Sequence, residues 1–356
     1  MDIPQQDIPT QGNAPLDIVV CGAHVPFMHG GAEMLLENLV EALRAAGHRA
    51  ELVRLPSAWD RERVFDAAMA WRMVPIDADM VIATNFPSYF VRHPRKVVWL
   101  FHQHRVVYDL AGTDLSDFDF DDGGLEEQRL LAEWDTRALE EASVRFTLSG
   151  VVSDRLLRYN GLSSTPLSHP PPLFDRLRPG TSDGPLFTAL RLERNKRPEL
   201  LIDAMARTTS GIALEIAGVG SLRDELEDRI DRLGVGDRVR LLGWADDDDL
   251  VRHYAAARAV LYAPYDEDYG YVSLQAFRAG KPVVTTSDAG GVLEWVTDGV
   301  NGLVAAPDAE SIATAIDCIA TDDVLGQRLG RAGRDTVADL SWEPVVQSLL
   351  TEALVR

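Results

Sequence analysis

The chain is predicted to be an α/β protein of two doubly wound, Rossmann-like domains facing each other across a cleft. Three observations carry this. Short apolar runs alternate with amphipathic, helix-length stretches from residue 16 onward, the pattern of parallel strands covered by helices on both faces. Ten such runs are too many for one ordinary sheet of this type. Residues 168–183, SHPPPLFDRLRPGTSD, are rich in proline and glycine and mark a seam between two units.

The elements follow in order. Residues 16–22 (LDIVVCG) form an apolar run ending in glycine, then comes a helical pattern over 32–46, closed by Gly47, and a strand over 49–55. Further buried strands are expected at 80–83, 97–101 and 145–148, with an amphipathic helix over 126–142. Beyond the seam, strands are expected at 186–190, 213–217, 238–242, 259–263 and 282–286. Helices there include 221–233 and one running through Ala279. The division is a lead-in (1–15), an N-terminal domain (16–172), a C-terminal domain (173–340) and a last helix (341–356). The lead-in is polar and proline-rich, so it is expected to be disordered and not a signal peptide. No apolar run approaches the ~18 residues of a spanning helix, and a cytoplasmic protein is expected.

Composition narrows the function. The 356 residues carry 56 acidic and 35 basic side chains, a formal charge of −21, which disfavours nucleic acid or an anionic membrane as partner. Lys96, Lys196 and Lys281 are the only lysines. The two cysteines, Cys21 and Cys318, are far apart and give neither a disulfide framework nor a metal cluster. Acidic residues cluster at 114–122 and 246–249. The first cluster reads as a solvated loop and the second as acids at a helix N-terminus, better than either reads as a cation site.

A dinucleotide fingerprint is absent after the first strand, which continues Gly22-Ala23-His24. At Gly218-Val219-Gly220, Arg223 stands where a third glycine belongs. No P-loop is present, and Ser149-Gly150 lacks the surroundings of a nucleophile elbow. A phosphate site of another design remains. Arg191 and Lys196 lie between a strand and Pro198, the expected first residue of a helix, and two cations there can clamp a diphosphate. A second segment, 264–273, joins a strand to a helix. In it Gly270 permits close backbone approach, and the N–H groups of Tyr271, Val272 and Ser273 make an anion site. Glu267 just before this turn can accept hydrogen bonds from hydroxyls, and Gln275 follows on the helix.

These residues occur in an order that resembles the retaining glycosyltransferases of family 4, of GT-B fold. The series runs through Arg191-Leu192, Lys196, Gly218-Val219-Gly220, Gly243-Trp244, the segment 267–276, Gly280-Lys281-Pro282, Gly290-Gly291 and Asp298-Gly299. The N-terminal half adds Gly30-Gly31-Ala32-Glu33 and Tyr159-Asn160-Gly161, and Ser341-Trp342 precedes a helix that in such enzymes crosses back to the first domain. The likeness spans roughly residues 16–350.

The resemblance implies roles. Arg191 and Lys196 match the basic pair on the donor diphosphate, and Glu267 the first acid of a paired-glutamate motif on the donor sugar. Gly30 and Gly31 match a glycine pair facing diphosphate and acceptor. His102 matches a histidine near the sugar ring, with His104 the competing position. Gln275 stands where the family's second glutamate holds the ribose. The implied activity is transfer of a sugar from a UDP- or GDP-sugar to an acceptor hydroxyl or other nucleophile, with retention and without a metal or other cofactor. The acceptor is expected to be a small molecule or glycan, and a homodimer is compatible. A nucleotide-sugar epimerase, or a non-catalytic sugar-nucleotide-binding protein, is the alternative.

Overall fold

The computed structural model describes residues 14–27, 30–57, 61–113, 116 and 122–354. Most of the expected lead-in and most of the acidic stretch 114–122 therefore lie outside the described residues. The first half contains β1 (Asp17–His24), α1 (Gly31–Ala45), β2 (Arg49–Pro56), α2 (Val64–Arg72), β3 (Met80–Ala83), β4 (Lys96–Leu100), α3 (Asp122–Glu140), β5 (Val144–Thr147), α4 (Gly150–Asn160) and β6 (Thr165–Pro166). The second contains β7 (Leu186–Ala189), α5 (Pro198–Met205), β8 (Leu214–Ala217), α6 (Arg223–Leu233), β9 (Val239–Gly243), α7 (Asp247–Ala256), β10 (Val260–Leu261), α8 (Tyr271–Arg278), β11 (Val283–Thr286) and β12 (Gly302–Ala305). Three helices close the chain: α9 (Ala309–Thr321), α10 (Asp323–Thr336) and α11 (Trp342–Leu354).

The strands form two parallel six-stranded sheets, ordered β2-β1-β3-β4-β5-β6 and β12-β11-β10-β7-β8-β9. Strands β3, β4 and β11 are buried at every residue, because helices cover both faces of each sheet. In each sheet the order reverses once, between β1 and β3 and between β7 and β10. Loops leaving the carboxyl ends of such a pair diverge and open a crevice. The two crevices hold the loops that carry Gly30–Gly31 and, in the second sheet, Lys196 and Glu267.

Two strands were absent from the sequence expectation. β6 is a two-residue exposed edge containing proline and carries no apolar run, and β12 is a four-residue strand whose run Leu303-Val304-Ala305 is short and opens with glycine. The expected strand 259–263 shrinks to Val260–Leu261, although the Ala259 carbonyl still accepts from the Phe187 N–H (3.0 Å) and the Tyr262 N–H donates to the Val284 carbonyl (2.9 Å). Asp246 caps α7, accepting the Asp249 N–H at 2.8 Å, so the second acidic run does sit at a helix N-terminus. Cys21 is buried, which pushes its thiol up to about 12 and leaves it unreactive, while Cys318 is exposed.

All three lysines are built into the fold. Lys96 Nζ donates to the carbonyls of Tyr89 (3.0 Å), Val91 (3.2 Å) and Ala138 (2.7 Å) and to Glu141 (3.1 Å). Burial draws its pKa down to about 8. Lys281 Nζ donates to the Thr181 carbonyl, and burial lowers it to about 8 as well. No helix among the described residues is long and apolar enough to cross a membrane.

Candidate active site

The loop from β7 to α5 is set by Arg197. This residue precedes the helix-opening Pro198 and takes a left-handed conformation, φ 49°, unfavourable for a side chain with a Cβ. Its guanidinium offsets that cost. It donates to the carbonyls of Ala263 (2.8 Å) and Pro264 (2.7 Å), to Thr286 Oγ1 (3.0 Å), and bidentately to Asp288 (2.8 and 2.7 Å). The loop is thereby pinned to the ends of β10 and β11, and Lys196, one residue earlier, is delivered to the crevice. Sequence reading had passed over Arg197, because its partners lie 66–91 residues away.

Lys196 Nζ donates to Glu267 Oε2, which also accepts from Tyr262 Oη at 2.9 Å. Burial pushes the Glu267 carboxyl up, but the Lys196 ammonium outweighs it and holds the group below its ordinary value. Arg191, the other half of the expected pair, lies exposed at the loop's start, its side chain without a hydrogen bond or ion pair among the described residues. The structure thus brings Lys196 and Glu267 into contact, and leaves Arg191 as a charge at the rim.

Glycines shape the loop after β10. Gly290, at φ 63°, crosses the Glu267 backbone so closely that a Cβ would lie 2.6 Å from Glu267 N and O. The Gly291 N–H donates to the Glu267 carbonyl at 2.6 Å, fixing the main chain that carries the carboxylate. Gly270, at φ 87°, turns the chain into α8, and a Cβ there would meet Val292 at 2.7 Å. Of the expected anion donors, the Ser273 N–H is already given to the Gly270 carbonyl at 3.1 Å. Tyr271 and Val272 supply the remaining N–H groups of that first turn.

From the first sheet, Gly31 opens α1 directly against this turn: a Cβ on it would stand 3.1 and 3.3 Å from the Tyr271 ring. The Gly30 N–H is capped by Glu33 Oε2 at 2.9 Å. His102 follows β4 with Nδ1 2.9 Å from the Gln103 carbonyl, and it is electrostatically coupled to Asp268, next to Glu267. His104 stacks on Phe86 with ring centres 4.9 Å apart, and burial draws it down to about 4, a neutral packing residue. Of the two histidines, His102 is the one on the site's side.

A clamp between the domains escaped the sequence reading. Arg105 donates to the Asp266 carbonyl and to Asp266 Oδ2, both at 2.9 Å, and to Asp109. Arg155 donates to Asp268 Oδ1 and lies 3.2 Å from Asp266 Oδ2. Burial raises the Asp268 carboxyl, yet the two guanidinium groups reverse this and hold it at about 2. The acids on either side of Glu267 are thus tied to the opposite domain. Ser149 caps α4, and Glu294 of the second half accepts the next two N–H groups, from Gly150 (3.1 Å) and Val151 (2.8 Å).

Gln275 requires a correction. It was expected to face the donor, but it is 8% exposed, with Oε1 accepting from Tyr254 Oη (2.9 Å) and Nε2 donating to the Pro172 carbonyl (2.9 Å). Both ends of the amide are engaged within the protein. Among the described residues, no three His, Cys, Asp or Glu side chains converge as a metal centre requires.

The family of glycosyl transferases group 1 matches residues 178–336. Over 174 residues the chain is 37% identical to the lipopolysaccharide core biosynthesis glycosyltransferase LpsE of Rhizobium meliloti, covering 48% of this chain and 49% of that one. Over 177 residues it is 34% identical to a glycogen synthase of Mycobacterium tuberculosis, covering 48% and 42%. The chain thus spans less than half the length of these curated relatives. The fold is similar to that of a sucrose-phosphate synthase from Thermosynechococcus elongatus, with a TM-score of 0.75 and 21% identity over 94% of this chain and 97% of that one. It is also similar to Anabaena HepE in complex with UDP and glucose, with a TM-score of 0.69 and 19% identity over 94% and 98%. Residues 178–336, which comprise the second sheet and its helices, match the glycosyl transferases group 1, on a chain folded as the two Rossmann-like domains of GT-B.

Proposed function

We propose that this chain transfers a sugar from a nucleotide-sugar donor to an acceptor hydroxyl, or another nucleophile, with retention of configuration. One observation carries the reading: Lys196 and Glu267 meet where the second sheet reverses its order, opposite Gly31 of the first. A cation, two helix-terminal N–H groups and a carboxylate suit a ligand that is anionic at one end and polyhydroxylated at the other. The relative that carries UDP and glucose on the same fold supports a donor of that class.

In this reading, Lys196, Arg191 and the Tyr271 and Val272 N–H groups meet the charge that grows on the diphosphate as the anomeric C–O bond breaks. No metal is invoked for that task. Glu267 Oε1, which has no donor among the described residues, accepts from a sugar hydroxyl, and His102 stands near the sugar ring. The acceptor oxygen forms the new bond on the face that the diphosphate leaves, and its proton passes to the departing phosphate oxygen. The Arg105 and Arg155 clamp holds the domains together and limits access of water.

The test is a screen of UDP- and GDP-sugars for thermal stabilisation, followed by NMR of the product's anomeric centre. Stabilisation by one donor and a product of retained configuration are expected. Inversion overturns the mechanism. Nucleotide release without acceptor product favours an epimerase, and binding without turnover across a broad acceptor panel favours a sugar-nucleotide-binding protein.

A further inference from the structure

The chain that joins the two sheets is laid along one face of α8. The His169 N–H donates to Tyr269 Oη (2.8 Å), and that hydroxyl donates back to the His169 carbonyl (2.7 Å). His169 Nε2 is 2.7 Å from Tyr271 Oη. Gln275 Nε2 donates to the Pro172 carbonyl at 2.9 Å, and Arg278 Nε to the Phe174 carbonyl at 3.1 Å. The Arg278 guanidinium also lies 4.6 Å from the centre of the Phe174 ring. Positions 271, 275 and 278 follow the i, i+4, i+7 spacing of a single helical face.

Between the two bonded carbonyls, Leu173 adopts φ 64°, a left-handed conformation that costs a non-glycine residue strain. The contacts on either side hold it there. On its other side the linker meets the first sheet and the last helix: the His169 ring is 5.2 Å from Trp99 and 5.6 Å from Trp342, centre to centre.

We propose that Gln275 is a positioning residue that seats the interdomain linker, residues 169–174, on α8, and that position 275 does not contact the nucleotide in this chain. Two buried neighbours make opposite demands of this side chain. Tyr254 Oη requires an acceptor, and the Pro172 carbonyl requires a donor. An amide meets both. A carboxylate satisfies the tyrosine but sets a second acceptor against the carbonyl, at a place with little water to separate them. The glutamine that departs from the family pattern thus has a local cause. With this seat fixed, the first domain approaches Lys196 and Glu267 from a defined pivot.

The inference goes beyond the transferase reading and is tested apart from it, by melting temperature against pH and by calorimetric binding of UDP and GDP. The variants are Gln275→Glu and the similarly sized, apolar Gln275→Met. The ionisable groups along this seat are Tyr254, which bonds the amide, His169, Tyr269 and Tyr271 at its start, and Arg278 on the same helix. Burial raises the phenols and draws the imidazole down to about 3, so neither the phenols nor the imidazole titrates between about pH 5 and 8. A glutamic acid here has a folded pKa above its unfolded value. The Gln275→Glu chain therefore melts near the native chain at about pH 5, where the protonated acid donates to Pro172, and falls progressively below it toward about pH 8.

Gln275→Met melts below the native chain throughout this range. Its affinity for whichever nucleotide the native chain binds stays within about threefold. A Gln275→Glu melting curve parallel to the native one across the range, with nucleotide binding tightened about tenfold, overturns the inference and returns position 275 to the ribose. If the native chain binds neither nucleotide, the donor reading fails, while the melting comparison still decides the linker seat.

Discussion

Lys196 and Glu267 are ion-paired across the reversal of the second sheet, and Tyr262 donates to the same carboxylate oxygen. In the proposed transferase reading, a diphosphate at this site draws the ammonium away from a carboxylate that already holds it. Replacing Lys196 by Ala is expected to lower kcat by about two to three orders of magnitude, the scale of losing one charge-stabilising donor. Steady-state kinetics on a folded variant checks this, and near-native turnover removes Lys196 from the phosphate clamp.

The same pairing sets opposite signs for binding and turnover at Glu267. In Glu267→Gln the ammonium loses its charged competitor, so UDP alone should bind several-fold tighter while sugar transfer falls. Weaker UDP binding contradicts the competition. Because the Glu267 pKa is lowered, its pairing contributes stability above the unfolded value of about 4.3 and loses it as pH falls through the folded value. The melting difference between native and Glu267→Gln chains should therefore shrink on acidification.

Arg197→Lys removes the fork on Asp288 and most of the bonds to Ala263, Pro264 and Thr286. A loss of about 2–3 kcal/mol is expected, the scale of hydrogen bonds to a charged group. Denaturant unfolding measures it. Turnover should fall too, since Lys196 loses its placement, and a variant as stable and active as the native chain shows that the fork is dispensable.

Arg155→Met should loosen the interdomain clamp and enlarge the radius of gyration in small-angle scattering. Asp268→Asn in the same chain should add less than it does alone, because the two groups act as a pair. With Asp268 held at about 2, the pairing is present above the unfolded carboxyl value and is lost only as pH falls toward 2. Additive effects of the two substitutions would argue against a shared contact.

Asp135 is buried, accepts from Tyr108 Oη at 2.6 Å, and is pushed up to about 7 by burial. The sign is opposite to that of Asp268. Stability is complete below the unfolded value of about 3.9 and is lost as pH rises through 7. Asp135→Asn keeps an acceptor for Tyr108 without the charge, so its melting temperature should gain on the native chain between about pH 5 and 8. A constant difference across that range would place the carboxyl in its ordinary state.

By itself the sequence determined the layered α/β architecture, because buried parallel strands must be apolar throughout and their covering helices amphipathic. It also pointed to Lys196, Glu267 and Gly270, whose place depends on a strand end, a proline or a glycine a few residues away. Arg105, Arg155 and Arg197 were illegible, and so was the seat of Gln275. Each has a partner 66–161 residues distant, and no local pattern separates an arginine bound to a far carboxylate from one in water. Tertiary structure decided which polar groups face the crevice and which are spent inside the protein. The reason is that a buried donor or acceptor takes whatever partner the packed chain brings to it.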